Sequence, residues 1–304
     1  MNGWVHRIRD SDLYWSFTRS KLVVVSAAIT LLFFIGAFGA PLVAPHNPFD
    51  LASLELTDAL KPPVWIDGGD AAFLLGTDDQ GRDVLSTILY GSRISLVVGF
   101  LSVLFALVLG VGLGLVAGYA GGMVDALIMR LADVQLSFPA ILIALLIDGI
   151  TRSVIGQDRH SDIAVFVLIV SIGLSYWVHY ARTVRGSVLV ERTKEYVLAA
   201  RVIGLPGPLI ALRHVLPNVM GPVLVIATIN LALAVITEAT LSFLGVGVPP
   251  TEPSLGTLIR IGNNFLFSGE WWITLFPSAA LAVLVLSVNL LGDWLRDALN
   301  PKLR

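Results

Sequence analysis

The sequence has no cysteine and few charged residues, and each shortage narrows what the chain can be. Asp, Glu, Lys and Arg make up 14% of its 304 residues, whereas a soluble domain carries about 25%. Without cysteine there is neither a disulfide nor a thiolate metal site. No run of basic residues points to nucleic acid, and no nucleophile–base pair indicates an enzyme. The five histidines lack the spacing of metal ligands, so we expect no bound metal at His6, His46, His160, His179 or His214.

Apolar residues are abundant instead, at 56% of the chain, and they come in long blocks. A helix needs roughly 20 such residues to cross hydrocarbon about 30 Å thick. Continuous runs of this length exclude a membrane barrel, whose strands alternate. The first block is too long for a signal peptide and lacks a clean cleavage site, so we interpret it as an uncleaved span. The sequence therefore predicts an all-α membrane protein with six transmembrane helices, at 22–44, 94–119, 126–149, 163–181, 219–246 and 273–291.

Basic residues set the expected orientation. Four lie before the first block, six between the fourth and fifth, and three after the sixth. By the positive-inside rule these segments are cytoplasmic, and six spans place all three on one side. We therefore expect both termini in the cytoplasm. Trp271, Trp272 and Trp294 flank the sixth block like an aromatic belt. The predicted organisation is a cytoplasmic N-terminal segment (1–21) and one transmembrane domain (22–304), with an outer-face segment (46–92) and a cytoplasmic loop (182–217).

The second block carries glycines four residues apart, which form a stripe where another helix backbone can approach closely. The stripe is either a contact with another subunit or, as we slightly favour, packing within the chain. No Gly-Lys-Ser/Thr follows the glycines, so they form no nucleotide-binding loop and the chain is not expected to hydrolyse ATP. The stripe consists of Gly110, Gly114, Gly118 and Gly122.

Charged residues inside the apolar blocks need partners. Glu238 lies in the fifth block, where a carboxylate facing hydrocarbon costs roughly 2.5–3.5 kcal/mol. It either lines a solute path or is a protonated or paired structural residue, and we favour the second. In the third block, the spacing of Arg130 and Asp133 allows them to pair on one helix face.

The segment LLGTDDQGRDVLSTILYGSRISL precedes the second block. Thr77 or Asp78 is placed to cap a helix that begins near Gln80 and lies on the membrane as an elbow. Its aspartates, Asp78, Asp79 and Asp83, lack the spacing of an EF-hand loop, and Arg82 stands among them. Capping and ion pairing are therefore favoured over calcium binding.

The stretch EYVLAARVIGLPGPLIALRHVLPN lies between the fourth and fifth blocks. Its pattern predicts an amphipathic helix over 191–203, a break at 204–206 and a second short helix over 208–215, which Pro217 ends. From the residues alone, such a unit is equally a surface that another protein grips or an ordinary connection.

This stretch resembles the EAA loop of ABC importer permeases, in which Glu-Ala-Ala, three residues, Gly and nine residues precede Ile-x-Leu-Pro. Leu198 replaces the Glu of that pattern and His214 its Ile, so Glu195, one turn earlier, is a candidate for the charged role. LLGTDDQGRDVLSTILYGSRISL, EATLSFLGVGVPPTEPSLGTLI and NLLGDWLRDALNPKLR are similar to the second permease subunit of dipeptide and oligopeptide importers. The matching positions of the EAA pattern are Ala199, Ala200, Gly204, Leu216 and Pro217.

The resemblance implies a type I ABC importer permease fold in the bacterial inner membrane. It implies four partners besides lipid: a homologous second permease, two ATP-binding subunits that hold the ATP and Mg²⁺, and a substrate-binding protein. This chain itself would bind no cofactor and no nucleic acid. The EAA-like unit would be a coupling helix seated in an ATPase groove, with Glu195 and Arg201 among its docking residues. Alternatives are a permease for nickel chelates, glutathione or another small solute, an ion-driven secondary transporter, and a polytopic membrane enzyme.

Overall fold

The structure is a computed structural model that describes residues 12–50, 54–155, 157–249, 251 and 253–299. In these ranges the chain is helical, with one isolated bridge between Thr77 and Asp83 and no strand. Single turns also occur at Leu56–Asp58 and Leu266–Ser268. The helices are α1 (Asp12–Arg19), α2 (Lys21–Phe38), α3 (Ala40–Val43), α4 (Val84–Ala120), α5 (Gly122–Leu136), α6 (Ala140–Ile155), α7 (Gln157–Glu191), α8 (Glu195–Val202), α9 (Gly207–Ile210), α10 (Leu216–Phe243), α11 (Leu255–Asn263) and α12 (Trp272–Leu299).

The predicted all-α membrane fold is confirmed. Five helices are long and apolar enough to cross a membrane, and α5 with α6 makes a sixth if the pair counts as one span. The prediction of one helix over 126–149 is wrong, because α5 and α6 meet at 93°. The break holds Ser137, Phe138 and Pro139. Proline fixes its own φ and disfavours helical geometry in the residue before it, so the helix ends there.

The packing of α4 on α7 shows that the bent pair returns the chain to the end of the bundle where α4 begins. Successive glycines of α4 meet successively later residues of α7: Gly110 meets Trp177, Gly114 meets Ala181 and Gly118 meets Val188. The two helices therefore run in the same direction. Since α4 ends where α5 begins, α5 and α6 must carry the chain back across before α7 starts.

The two ends of the described chain also meet. The ring of Phe17, in α1, lies 5.1 Å from the ring of Trp294, in α12, and the indole Nε1 donates to Ser16 Oγ at 3.2 Å. Two ends on one side are consistent with an even number of crossings, which is six if the bent pair counts as one span. Trp272 is buried within the chain, so it does not face an interface as the aromatic belt requires, whereas for Trp271 and Trp294 the belt stays a prediction.

Helix α4 is central to the fold: it packs against α2, α5, α7, α10, α11 and α12. It begins at Val84, capped by Asp83, whose carboxylate accepts from the Ser86 backbone N–H at 2.9 Å. The prediction of a separate elbow helix from Gln80 is therefore wrong. At 37 residues, α4 is about 55 Å long and extends beyond the hydrocarbon.

The loop before α4 is held by the ion pairing and capping that the sequence favoured. Asp78 accepts from Arg82 Nε at 2.6 Å, with both side chains buried. Burial raises the pKa of Asp79, with Asp78 beside it as a second cause. Trp272 Nε1 donates to the Thr77 carbonyl at 3.1 Å and so ties the loop to α12. Among the described residues no group of three or more His, Asp or Glu side chains is placed to hold a metal.

Candidate functional site

The loop unit, residues 192–217, joins α7 to α10 through α8 and α9. Helix α8 ends in a Schellman motif, in which the Leu205 N–H donates to the Ala200 carbonyl and the Gly204 N–H to the Arg201 carbonyl. Gly204 has φ +83° and nothing within 4 Å of where a Cβ would be. Glycine is needed there for the left-handed backbone, not for close approach to a neighbour.

The predicted boundaries of the loop unit need three corrections. Helix α7 continues to Glu191 and α8 begins only at Glu195, so 191–203 is not one helix. A π-helical turn over Ala211–Val215 replaces the second half of the predicted short helix. Pro217 does not end the unit, since it lies in the first turn of α10, where its missing N–H costs no helical hydrogen bond.

The inner side of the loop unit is packed against the ends of the spans. Val197, Ala200, Ile210 and Val215 are buried in one cluster. That cluster also includes Leu115 of α4 and Val188 of α7. Buried apolar contacts therefore join the loop unit to two spans.

The outer side of the loop unit is exposed and apolar. Val202 and Ile203 are 86% and 74% exposed. We call this surface the apolar patch, and it comprises Leu198, Val202, Ile203, Leu209 and Leu212. Large apolar side chains clustered on a soluble surface mark an interaction site.

The sequence-predicted docking residues divide between the two sides. Glu195, Ala199 and Arg201 are exposed, as is Pro217, whereas Ala200 is buried and Leu216 half-buried. The small size of Ala200 therefore permits close packing within this chain and not with a partner. Leu198, at the position of the motif's Glu, is 47% exposed and belongs to the apolar patch.

Two tyrosines that no sequence pattern singles out brace the loop unit. Tyr196 donates to Glu191 Oε1 at 2.7 Å, and Asn218 Nδ2 donates to the Tyr196 hydroxyl and to the His214 carbonyl. Burial, followed by the bond to Glu191, raises the pKa of Tyr196. His214 contributes only its backbone carbonyl to this brace, and any residue at position 214 would provide that carbonyl.

The second tyrosine, Tyr119, lies near the end of α4. The Arg201 guanidinium stands 5.6 Å from the centre of its ring, and a Cβ on Gly207 would come within 3.2 Å of that ring. Tyr119 falls at the end of an apolar block, where aromatic residues are common, so the sequence does not distinguish it. Its contact with the loop unit is a consequence of the tertiary fold.

Gly110, Gly114 and Gly118 lie against α7 of the same chain. A Cβ on Gly114 would stand 2.5 Å from the Ala181 carbonyl oxygen, and one on Gly118 would stand 2.8 Å from the Val188 Cβ. Gly122 is apart from this stripe: it has φ +57° and no neighbour within 4 Å, because it begins α5. Three of the four glycines thus serve packing within the chain.

Salt bridges hold α5 to α7. Asp125 accepts from Arg185 in a bidentate pair, at 2.7 Å for Nη2. Asp133 pairs with Arg182, so the expected pairing of Asp133 with Arg130 is wrong. The tertiary fold determines which arginine pairs with Asp133, because residue spacing within one helix carries no information about a neighbouring helix.

Glu238 is fully buried where α10 meets α4 and α11. Its carboxyl accepts from Ser95 Oγ at 2.7 Å and from Ser242 Oγ at 2.8 Å. Ser95 Oγ accepts in turn from the Leu255 N–H at 3.3 Å, which links α11 to the pair. With no exposed surface, Glu238 meets its polar partners inside the chain, which favours the structural interpretation.

Replacing Glu238 separates its size and hydrogen bonds from its charge. Glu238→Gln keeps the volume and one of the two acceptor oxygens, and its amide NH2 can donate to the other serine hydroxyl, so we expect the protein to stay folded and active. Glu238→Leu leaves buried serine hydroxyls without their acceptor, so we expect a loss of about 2 kcal/mol or more of stability. Thermal unfolding in detergent measures the difference. If both variants unfolded at the wild-type temperature, the structural role would be refuted.

Comparison with known proteins adds the family. A family model described as the inner membrane component of binding-protein-dependent transport systems matches residues 110–304. Another, for the N-terminal TM domain of oligopeptide transport permease C, matches residues 11–63. The chain is 35% identical to the dipeptide transport system permease protein DppC of Haemophilus influenzae, over 96% of this chain and 95% of that one. It is 41% identical to DppC of Escherichia coli strain K12, over 96% and 93%.

Among solved structures, the chain resembles one from the MetNI methionine ABC transporter in an inward-facing conformation. The TM-score is 0.54 at 20% identity, and the match covers 70% of this chain and 96% of the other. At that identity the likeness concerns the fold, which is that of an ABC importer permease.

Proposed function

Because the chain belongs to the family of binding-protein-dependent transport system inner membrane components, we propose that it is the second, C-type permease subunit of an ATP-driven peptide importer. The dipeptide permeases to which it is similar match over nearly their whole length, which supports short peptides as the substrate. Nickel chelates, glutathione or another small solute are the alternative within the family.

In this proposal the chain lies in the bacterial inner membrane with both termini and the loop unit in the cytoplasm. It pairs with a homologous permease, while two ATP-binding subunits hold ATP and Mg²⁺ and a substrate-binding protein delivers the peptide outside. The domain limits stay as expected: 1–21 cytoplasmic, 46–92 on the outer face and 182–217 as the coupling loop.

The observation that carries the proposal is the two-sided loop unit. Its inner side is fixed to α4 and α7 by buried contacts, and its outer side exposes the apolar patch. We propose that the patch seats in a groove of an ATPase subunit. Closure of the ATPases on ATP would then move the loop unit and, through its buried side, the spans. Since Leu198 is apolar, this contact relies on burial instead of a salt link at that position.

The direct test is a gentle purification of the tagged chain from its native membranes, with partners identified by mass spectrometry. We expect a second six-helix permease and two ATPase subunits. The chain recovered alone, in a detergent shown to preserve a known importer, would contradict the proposal. The ligand of a co-purified binding protein would identify the substrate.

An ion-driven secondary transporter is the candidate from another class. Its folds usually show internal repeats and midplane ion sites, and the sequence shows neither. Uptake that survives ATP depletion while a proton gradient remains would favour that class.

A further inference from the structure

The outward-facing positions of most spans are apolar. In α2, α4 and α12, the described residues that are exposed within the predicted spans carry apolar side chains or none. Phe100, Leu104 and Val108 of α4 are examples. Such surfaces suit lipid or another apolar surface.

The exposed surface where α7 meets α10 is different. His179 is exposed there, and Tyr176 and Thr237 are partly exposed. The Tyr176 hydroxyl and Thr237 Oγ1 are 2.8 Å apart, and the His179 ring lies 6.1 Å from the Tyr176 ring. We call these three residues the polar face.

The polar face lies within the predicted membrane-spanning segments. The Trp177 backbone meets Gly110 of α4, and Gly110 is about 15 Å along the helix from the end of α4 at Ala120. Residues 176 and 179 of the parallel helix α7 therefore lie at a similar level, within the predicted span 163–181.

Polar side chains at this depth are costly against lipid and normally face protein or a water-filled cavity. Glu238 and Asn230 follow that rule by burial within the chain. The polar face is not buried: His179 is exposed, while the partly exposed Thr237 hydroxyl donates to the Leu233 carbonyl at 2.8 Å and accepts from Tyr176. Leu233 and Ile236, each 40% exposed, lie beside it on α10, so the surface combines hydrogen-bonding groups with apolar area.

We propose that Tyr176, His179 and Thr237 line the path along which the solute crosses the membrane. This rests on the proposed function and adds where the path runs in this chain. Hydroxyl and imidazole groups both donate and accept hydrogen bonds, so they match the peptide groups that all short peptides share. Apolar neighbours accept side chains of varied size. The nearest ion pair, Arg182 with Asp133, lies about one turn along α7 from His179.

The absence of cysteine makes a direct test possible, since single cysteines can be introduced without removing any. We would make His179→Cys and Thr237→Cys, with Leu104→Cys and Leu146→Cys as exposed apolar controls on α4 and α6. The complex, as purified and returned to liposomes, is treated with a charged, membrane-impermeant methanethiosulfonate. Labelling of this chain is measured by mass.

We expect cysteines at 179 and 237 to react at least tenfold faster than those at 104 and 146. Equal rates at all four positions, or reaction at 179 and 237 only with a lipid-soluble maleimide, would overturn the proposal. Absence of reaction with both reagents would mean that the partner permease covers the face, which also overturns it. Uptake of dialanine by the same liposomes is scored separately, so failure of the importer function is distinguished from failure of the path.

A second variant tests the hydrogen-bonding role. Thr237→Val removes a hydroxyl at nearly constant shape, and one neutral hydrogen bond of about 1 kcal/mol corresponds to roughly a fivefold change. We expect Thr237→Val to lower dialanine uptake about three- to tenfold. When Thr237→Val is combined with His179→Cys, we expect the cysteine at 179 to react as fast as it does in His179→Cys alone. Thr228→Val, on another face of α10, is the control and should transport normally. Wild-type uptake by Thr237→Val would refute hydrogen bonding by this residue.

Discussion

Val202→Glu together with Ile203→Glu should abolish recovery of the ATPase subunits with this chain while leaving the chain folded. Both side chains are more than two-thirds exposed, so the fold does not depend on them. Seated in a partner's groove, two carboxylates without counter-charges would pay their desolvation cost uncompensated. We expect binding at least 100-fold weaker, measured as ATPase co-purified per mole of permease.

The matched control is Phe267→Glu. Phe267 is 96% exposed. It follows α11, which the chain reaches after the end of α10 that is distant from the loop unit. The same change from apolar to acidic there should leave the ATPase content unchanged. Wild-type ATPase content in the double variant would show that the apolar patch is not the docking surface.

Gly114→Leu should prevent stable folding, whereas Gly112→Leu should not. A Cβ at 114 would stand 2.5 Å from the backbone oxygen of Ala181, and backbone cannot give way as a flexible side chain can. Overpacking of a core typically costs 1–3 kcal/mol, and more where backbone must move. We expect the yield of monodisperse Gly114→Leu protein to fall about tenfold or more.

Gly112 is the natural control, because it lies two residues away on the same helix and nothing lies within 4 Å of its Cβ position. Its variant adds the same side chain toward open space, so helix propensity and hydrophobicity change equally. If both variants were recovered in wild-type yield, α4 and α7 would not pack as closely as described.

The sequence predicts the helical membrane fold well because spanning segments are a matter of length and composition. It fails where tertiary contacts decide. The bend between α5 and α6 falls inside one apolar block, and only Pro139 signals it. The start of α4 depends on Asp78 pairing with Arg82, which leaves Asp83 as the cap.

The candidate site divides in the same way. The motif spacing locates the loop unit and Gly204, since the left-handed end of a helix demands a particular residue type. It does not tell which side each residue faces, so the pattern alone treats Ala199 and Ala200 alike, although Ala200 is buried and Ala199 exposed. The polar face is invisible to spacing, because Thr237 and Tyr176 lie 61 residues apart.

The central claim is that this chain forms the path of an importer driven by ATP. The most direct measurement is uptake of radiolabelled dialanine into liposomes that contain the complete purified complex and its binding protein, with ATP on the ATPase side. We predict uptake that requires ATP. It should be lost when the Walker B glutamate of the ATPase partner is substituted so that ATP is no longer hydrolysed. Uptake that continues without ATP and follows an imposed proton gradient would contradict the account.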